Sequence, residues 1–61
     1  MTRLEVLREA ALLCGAEAGT YLSREARATS PAEKAVWGTE AEKMYMCFET
    51  LMEMAKEEEN A

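Results

Sequence analysis

The tetrapeptide Ser30-Pro31-Ala32-Glu33 stands at the middle of the chain and limits what either half can become. A serine followed three residues later by a glutamate is the capping-box pattern. The Ser30 hydroxyl accepts from the N–H of Glu33, and the Glu33 carboxylate reaches back to the N–H of Ser30. Pro31 falls on the first helical position, where its missing donor costs nothing and its fixed φ suits a helix. The same ring drives Ser30 out of the α region, so a preceding helix has to stop by Thr29. One unbroken helix through Pro31 would lose a hydrogen bond, at a cost of about 3 kcal/mol. The expectation is an all-α, antiparallel two-helix hairpin in one domain over residues 1–61. Its first helix covers about residues 2–28, the turn about 29–30 and the second helix about 31–58.

Both halves carry a seam of the kind a hairpin needs. Leu4, Leu7, Ala11, Cys14, Ala18 and Tyr21 recur at alternating steps of three and four, as do Trp37, Ala41, Met44, Phe48, Leu51 and Ala55. That spacing places each set on one face of a helix. Thr2, with Glu5 three residues on, is a second cap signal. In an antiparallel pair, facing residues keep a constant index sum, which a corner at residues 29–30 sets at about 59. Leu7 then faces Leu51, Ala11 faces Phe48, Ala18 faces Ala41 and Tyr21 faces Trp37. Gly38-Thr39 followed by Glu42 is another start signal, but the register of Trp37 with the seam behind it favours a continuous second helix. Glu57-Glu58-Glu59 meet the negative end of the helix dipole, so a frayed acidic tail is expected. Glu40 with Lys43 and Glu53 with Lys56 are expected surface ion pairs.

One seam leaves apolar residues over. Val6 and Leu13 stack seven residues apart on the outer side of the first helix, with Leu12 between them. Val36, Cys47 and Met54 form a stripe on the second, and Tyr45 and Met52 widen its seam on the other side. Gly15 and Gly19 cost about 1 kcal/mol each against alanine in a helix interior. Their spacing makes a small-xxx-small strip that admits another backbone or a large side chain. Chains of 61 residues bury little surface when alone and gain core by oligomerising. A homodimer, most simply a four-helix bundle, is therefore expected, with Val6, Leu13, Gly15, Gly19, Val36, Tyr45, Cys47, Met52 and Met54 as dimer- or partner-binding residues.

Composition removes most chemistry. There is no histidine, and all twelve acidic residues are glutamates. A bundle di-metal site adds a Glu-x-x-His pair that this chain cannot supply. Neither Cys14 nor Cys47 has a C-x-x-C partner or a histidine to activate it. No phosphate loop, nucleophile elbow or zinc spacing occurs. No cofactor, no metal and no enzymatic activity are expected. The residues after Met1 include Arg3, Glu5, Arg8 and Glu9, without the apolar run of a signal peptide. No segment is apolar enough to span a membrane, so the expected place is the cytoplasm, with thiols reduced. Arg3, Arg8, Arg24 and Arg27 balance Glu5, Glu9, Glu17 and Glu25, and nearly all the net charge of −5 follows the corner. That balance argues against generic nucleic-acid binding, which needs cations to neutralise phosphates.

In length, corner position and acidic balance the chain resembles the Rop-type RNA-binding hairpin, a short antiparallel helix pair that dimerises. The resemblance implies an RNA-binding regulator with Arg3, Arg8, Arg24 and Arg27 on the RNA-facing side. These arginines do not share one helix face, and no exposed aromatic lies among them. The residues themselves favour a non-enzymatic homodimer that docks a leftover apolar stripe, rimmed by glutamates, on a larger protein and regulates or inhibits it by occupancy. Small acidic helical proteins that phages and mobile elements make against host machinery share this compactness and charge. A structural subunit of a larger assembly is the third reading.

Overall fold

The computed structural model describes residues 1–61 and consists of two helices, α1 (Arg3–Arg27) and α2 (Pro31–Asn60). They lie antiparallel as a hairpin with Cα extents of 47 × 16 × 10 Å. The radius of gyration, 14.1 Å, exceeds the roughly 10.5 Å of a compact chain of this length. The molecule is a rod two helices wide.

Each helix begins where its cap residues direct. Thr2 is the N-cap of α1: its Oγ1 accepts from the Glu5 N–H at 3.1 Å, and Glu5 Oε1 accepts from the Thr2 N–H at 3.3 Å. At the corner Ser30 is extended (φ −117°, ψ 150°), as a residue before proline must be. Its Oγ accepts from the Glu33 N–H at 3.2 Å. The returning half of the box differs from expectation. Glu33 Oε2 accepts from Thr29 N–H at 3.4 Å, one residue earlier than Ser30, so the glutamate holds the turn instead of closing the box. Ala28 ends α1 in an extended conformation, with its N–H donating to the Glu25 carbonyl at 3.2 Å. The corner uses no positive φ and no cis peptide.

The core is the predicted seam and little else. Leu7, Ala11, Ala18, Ala41 and Ala55 are buried. Leu4, Cys14, Tyr21, Met44, Phe48, Leu51 and Trp37 are half-buried between the helices. Tyr21 and Trp37 stack with ring centroids 5.6 Å apart and planes 18° from parallel, which closes the layer nearest the corner. Phe48 enters the seam from α2 and is half-buried there. Its ring runs alongside Gly15, where an added Cβ would stand 3.4 Å from it. A side chain at Gly15 would meet this chain's own phenylalanine at van der Waals distance.

Helix α2 is continuous through Gly38. The Glu25 carboxylate lies directly over Gly38, in the space a Cβ would need. At the far end α2 stays helical to Asn60, two residues beyond the expected end. Its last turn has no basic residue of its own. Cations arrive from α1 instead: Arg3 Nε lies 3.2 Å from Glu58 and Arg8 Nη2 lies 3.0 Å from Glu59. The opposite charges offset the unfavourable dipole that led to the expectation of fraying. Lys43 pairs with Glu40 at 3.2 Å. The expected Glu53–Lys56 pair does not form among the ion pairs of the structure.

Candidate interaction surfaces

No helix is long and apolar enough to cross a membrane. No group of three or more potential metal ligands comes together. What the hairpin does present is apolar side chains outside its seam. Val6, Leu12, Leu13, Leu22, Val36, Tyr45, Met46, Met52 and Met54 are all exposed. Cys47 is exposed and free, while Cys14 is half-buried and free. The two thiols therefore occupy different settings.

The structure divides the candidate residues between two opposite flanks. Residues seven apart share a helix face, and those directly beside an a/d seam lie on one side or the other of it. On one side of α1 run Arg8, Gly15 and Leu22, and on the matching side of α2 run Gly38, Tyr45, Met52 and Glu59. The Arg8–Glu59 ion pair joins these two stripes at the open end of the hairpin. Near the middle an open groove joins them again: Leu22, Gly38 and Tyr45 line it, and Ala18 and Ala41 form its floor. A second open groove lies toward the open end, where Phe48, Met52 and Ala55 are rimmed by the charged Arg8, Glu49, Glu53, Lys56 and Glu59. Gly15, Gly19, Tyr45 and Met52 thus belong to one grooved flank. Leu12 and Gly19 lie at its outer edge, one stripe further from the seam.

Val6, Leu13, Val36, Cys47 and Met54 belong to the other flank. They share it with Arg3, Glu17, Arg24, Glu33 and Glu40, which occupy the stripes next to the seam on that side. Toward the corner this flank is polar. Arg24 lies over both aromatic rings, 4.9 Å from the Trp37 centroid and 5.7 Å from that of Tyr21. Glu17 accepts a hydrogen bond from the Tyr21 hydroxyl at 3.1 Å. That bond, together with loss of solvent around the ring and the negative charges of Glu17 and Glu40, raises the Tyr21 pKa above its ordinary value. Toward the open end the same flank carries Val6 and Leu13 of α1 and Met54 and Cys47 of α2, all exposed, with the Arg3–Glu58 ion pair at its end.

Sequence reasoning missed the Arg24 stack. The signal was present, since Arg24 follows Tyr21 by three residues on a helix whose partner supplies Trp37. It also gave no weight to Leu22 and Met46, which stand exposed and line the two grooves. The two glycines prove to have different surroundings. Gly15 abuts Phe48, whereas Gly19 has nothing within 4 Å of an added Cβ.

No protein-family model matches this chain, and neither a curated protein nor a solved structure is significantly similar to it. The likeness to the Rop-type hairpin accordingly stands on shape, length and charge alone.

Proposed function

We propose that the chain is a non-enzymatic, homodimeric interaction module that docks on a larger protein and regulates it by occupying a surface. The observation that carries this is the presence of uncovered apolar side chains on both flanks of a two-helix rod. The accessible surface is 4590 Å², whereas a compact chain of this mass would expose about 3,950 Å². One exposed leucine needs no explanation, but a set of exposed apolar side chains on each flank of a hairpin with five buried residues does. A homodimer hides one of the two. The other remains as a set of spaced anchors on helical faces, the arrangement by which helices seat in the grooves of larger proteins.

The RNA reading is less well supported. Arg3 and Arg8 are engaged with Glu58 and Glu59, Arg24 with the two aromatic rings, and Arg27 with the Ser23 carbonyl at 3.3 Å. Phosphate contacts would have to displace each of these partners. The chain would also have to overcome its net charge of −5.

Affinity capture with the wild-type chain and with a Leu13→Glu, Met54→Glu variant tests the reading, with sedimentation of both proteins as the control for assembly. A partner protein held by the wild type and lost by a variant of unchanged mass supports it. A captured set identical for both proteins, or one that dissolves with salt and contains only nucleic acid, overturns it.

A further inference from the structure

The two flanks differ in charge, in shape and in what they can do to a second copy of the same chain. The choice of face rests on the homodimer reading above. We propose that a second copy docks on the grooved flank, through Gly15, Leu22, Gly38, Tyr45 and Met52, to form a two-fold four-helix bundle. Val6, Leu13, Cys47 and Met54 then stay uncovered for another protein.

Area sets the requirement. The hairpin exposes 4590 Å², about 600 Å² beyond a compact chain of its mass. A stable dimer of standard size hides about 600–1,000 Å² on each partner. Each chain therefore carries about one dimer interface of surplus surface, which one flank of a 47 Å rod can supply.

Charge selects the flank. Interface cores are depleted of charged residues. Between the Arg8–Glu59 pair and the corner, the stripes beside the seam on the grooved flank are Gly15 and Leu22 of α1 and Gly38, Tyr45 and Met52 of α2, none of them charged. The charges on these stripes are Arg8 and Glu59, already paired with each other at the open end. Glu25 reaches over Gly38 at the corner end, and Glu42 and Glu49 stand one stripe further out, at the rim. The opposite flank has Arg3, Glu17, Arg24, Glu33 and Glu40 next to its seam. A copy docking there would have to bury these five charges, or pull Arg24 off its aromatic rings, Glu17 off Tyr21 and Arg3 off Glu58. On the grooved flank the charges that a copy meets are Glu42, Glu49 and Lys56 at the rim and Glu25 over Gly38 at the corner end.

Shape completes the assignment. A two-fold interface uses the same patch on both copies, so the patch must contain both the recess and what fills it. Here the recess is floored by Ala18 and Ala41, with Gly38 beside it. The fillers are Leu22 and Tyr45, 53% and 55% exposed at its edges. Gly19 leaves open space alongside, where a neighbouring helix can come close.

Sedimentation equilibrium, with circular dichroism to follow helix content, tests the proposal on the full chain. The wild type is expected at twice its 6.8 kDa mass in the micromolar range. A Leu22→Glu, Tyr45→Glu variant replaces two exposed residues, so the hairpin stays helical while the dimer weakens about a hundredfold, because buried unpaired charge is costly. Leu13→Glu keeps the wild-type mass. Gly19→Glu is a second probe, since nothing in its own chain lies within 4 Å; it weakens the dimer about tenfold by like-charge repulsion at the rim. A dimer lost with Leu13→Glu but kept by the double variant and by Gly19→Glu overturns the face assignment and leaves the homodimer standing. If the double variant loses its helices, Gly19→Glu decides: a dimer of undiminished affinity overturns the proposal. A wild type that sediments at single-chain mass throughout the micromolar range overturns both the assignment and the homodimer.

Discussion

Leu7 is the one large side chain that the hairpin buries, at 8% exposure, among four buried alanines. Replacing it with alanine removes three carbons from the seam, worth about 0.8 kcal/mol each, or roughly 2.4 kcal/mol of transfer free energy. Cavity terms raise such losses toward 5 kcal/mol in rigid cores. A two-helix layer has solvent on both sides and relaxes more easily, so the expected cost stays near the low end, about 2–3 kcal/mol. Helix propensity works in the opposite direction, because alanine is the better helix former. Any loss is then attributable to packing between α1 and α2 and not to α1 itself. Chains of this length have total stabilities of about 3–9 kcal/mol, so one substitution removes a large share. The midpoint of thermal unfolding should fall by about 10–20 °C. Urea melts followed by circular dichroism should show a lower midpoint at unchanged slope, with chain concentration held fixed throughout. Leu13→Ala, at 63% exposure on the other side of the helix, should shift the midpoint by under about 0.5 kcal/mol. Equal losses at Leu7 and Leu13, or none at Leu7, would refute the register of the hairpin.

Ser30→Ala removes the acceptor of the Glu33 N–H and should cost about 1 kcal/mol, read as a lower urea midpoint with helix content unchanged in water. Arg3→Gln combined with Arg8→Gln takes away the partners of Glu58 and Glu59. Amide exchange in the last turn of α2 should accelerate while global stability falls by less than about 1 kcal/mol, since both pairs are exposed; exchange equal to wild type would show that the pairs do not hold that turn. Tyr21 has a raised pKa, chiefly through its hydrogen bond to Glu17. The folded state therefore favours the protonated phenol, and this contribution is fully present below the ordinary tyrosine pKa and lost as pH rises through the folded value. Absorbance titration in a Tyr45→Phe background should place the transition above pH 10, and Glu17→Ala should bring it back toward that value. A transition unmoved by Glu17→Ala would remove the carboxylate as the cause.

Much of the fold was written in local chemistry. Pro31 behind Ser30 located the corner, because the proline ring restricts its neighbour whatever the tertiary context. Thr2 and Glu5 located the start of α1 for an equally local reason, a side chain returning to its own backbone. The alternating three-four spacing named the seam residues, and the structure buries or half-buries all of them, from Leu4 to Tyr21 and from Trp37 to Ala55. Contacts between the helices were a different matter. Phe48 against Gly15, Arg24 over Trp37, and the Arg8–Glu59 pair depend on stagger and side-chain reach across the interface, which neither helix specifies alone. The same is true of the candidate surface. Spacing identified Val6, Leu13, Gly15, Gly19, Val36, Tyr45, Cys47, Met52 and Met54 as residues outside the seam. Their division into a flank with charges beside the seam and a grooved one with charges mainly at its rim and open end appeared only once the second helix lay alongside the first. A helix dictates which of its own residues share a face, and the packing of its neighbour decides which of those faces become one surface.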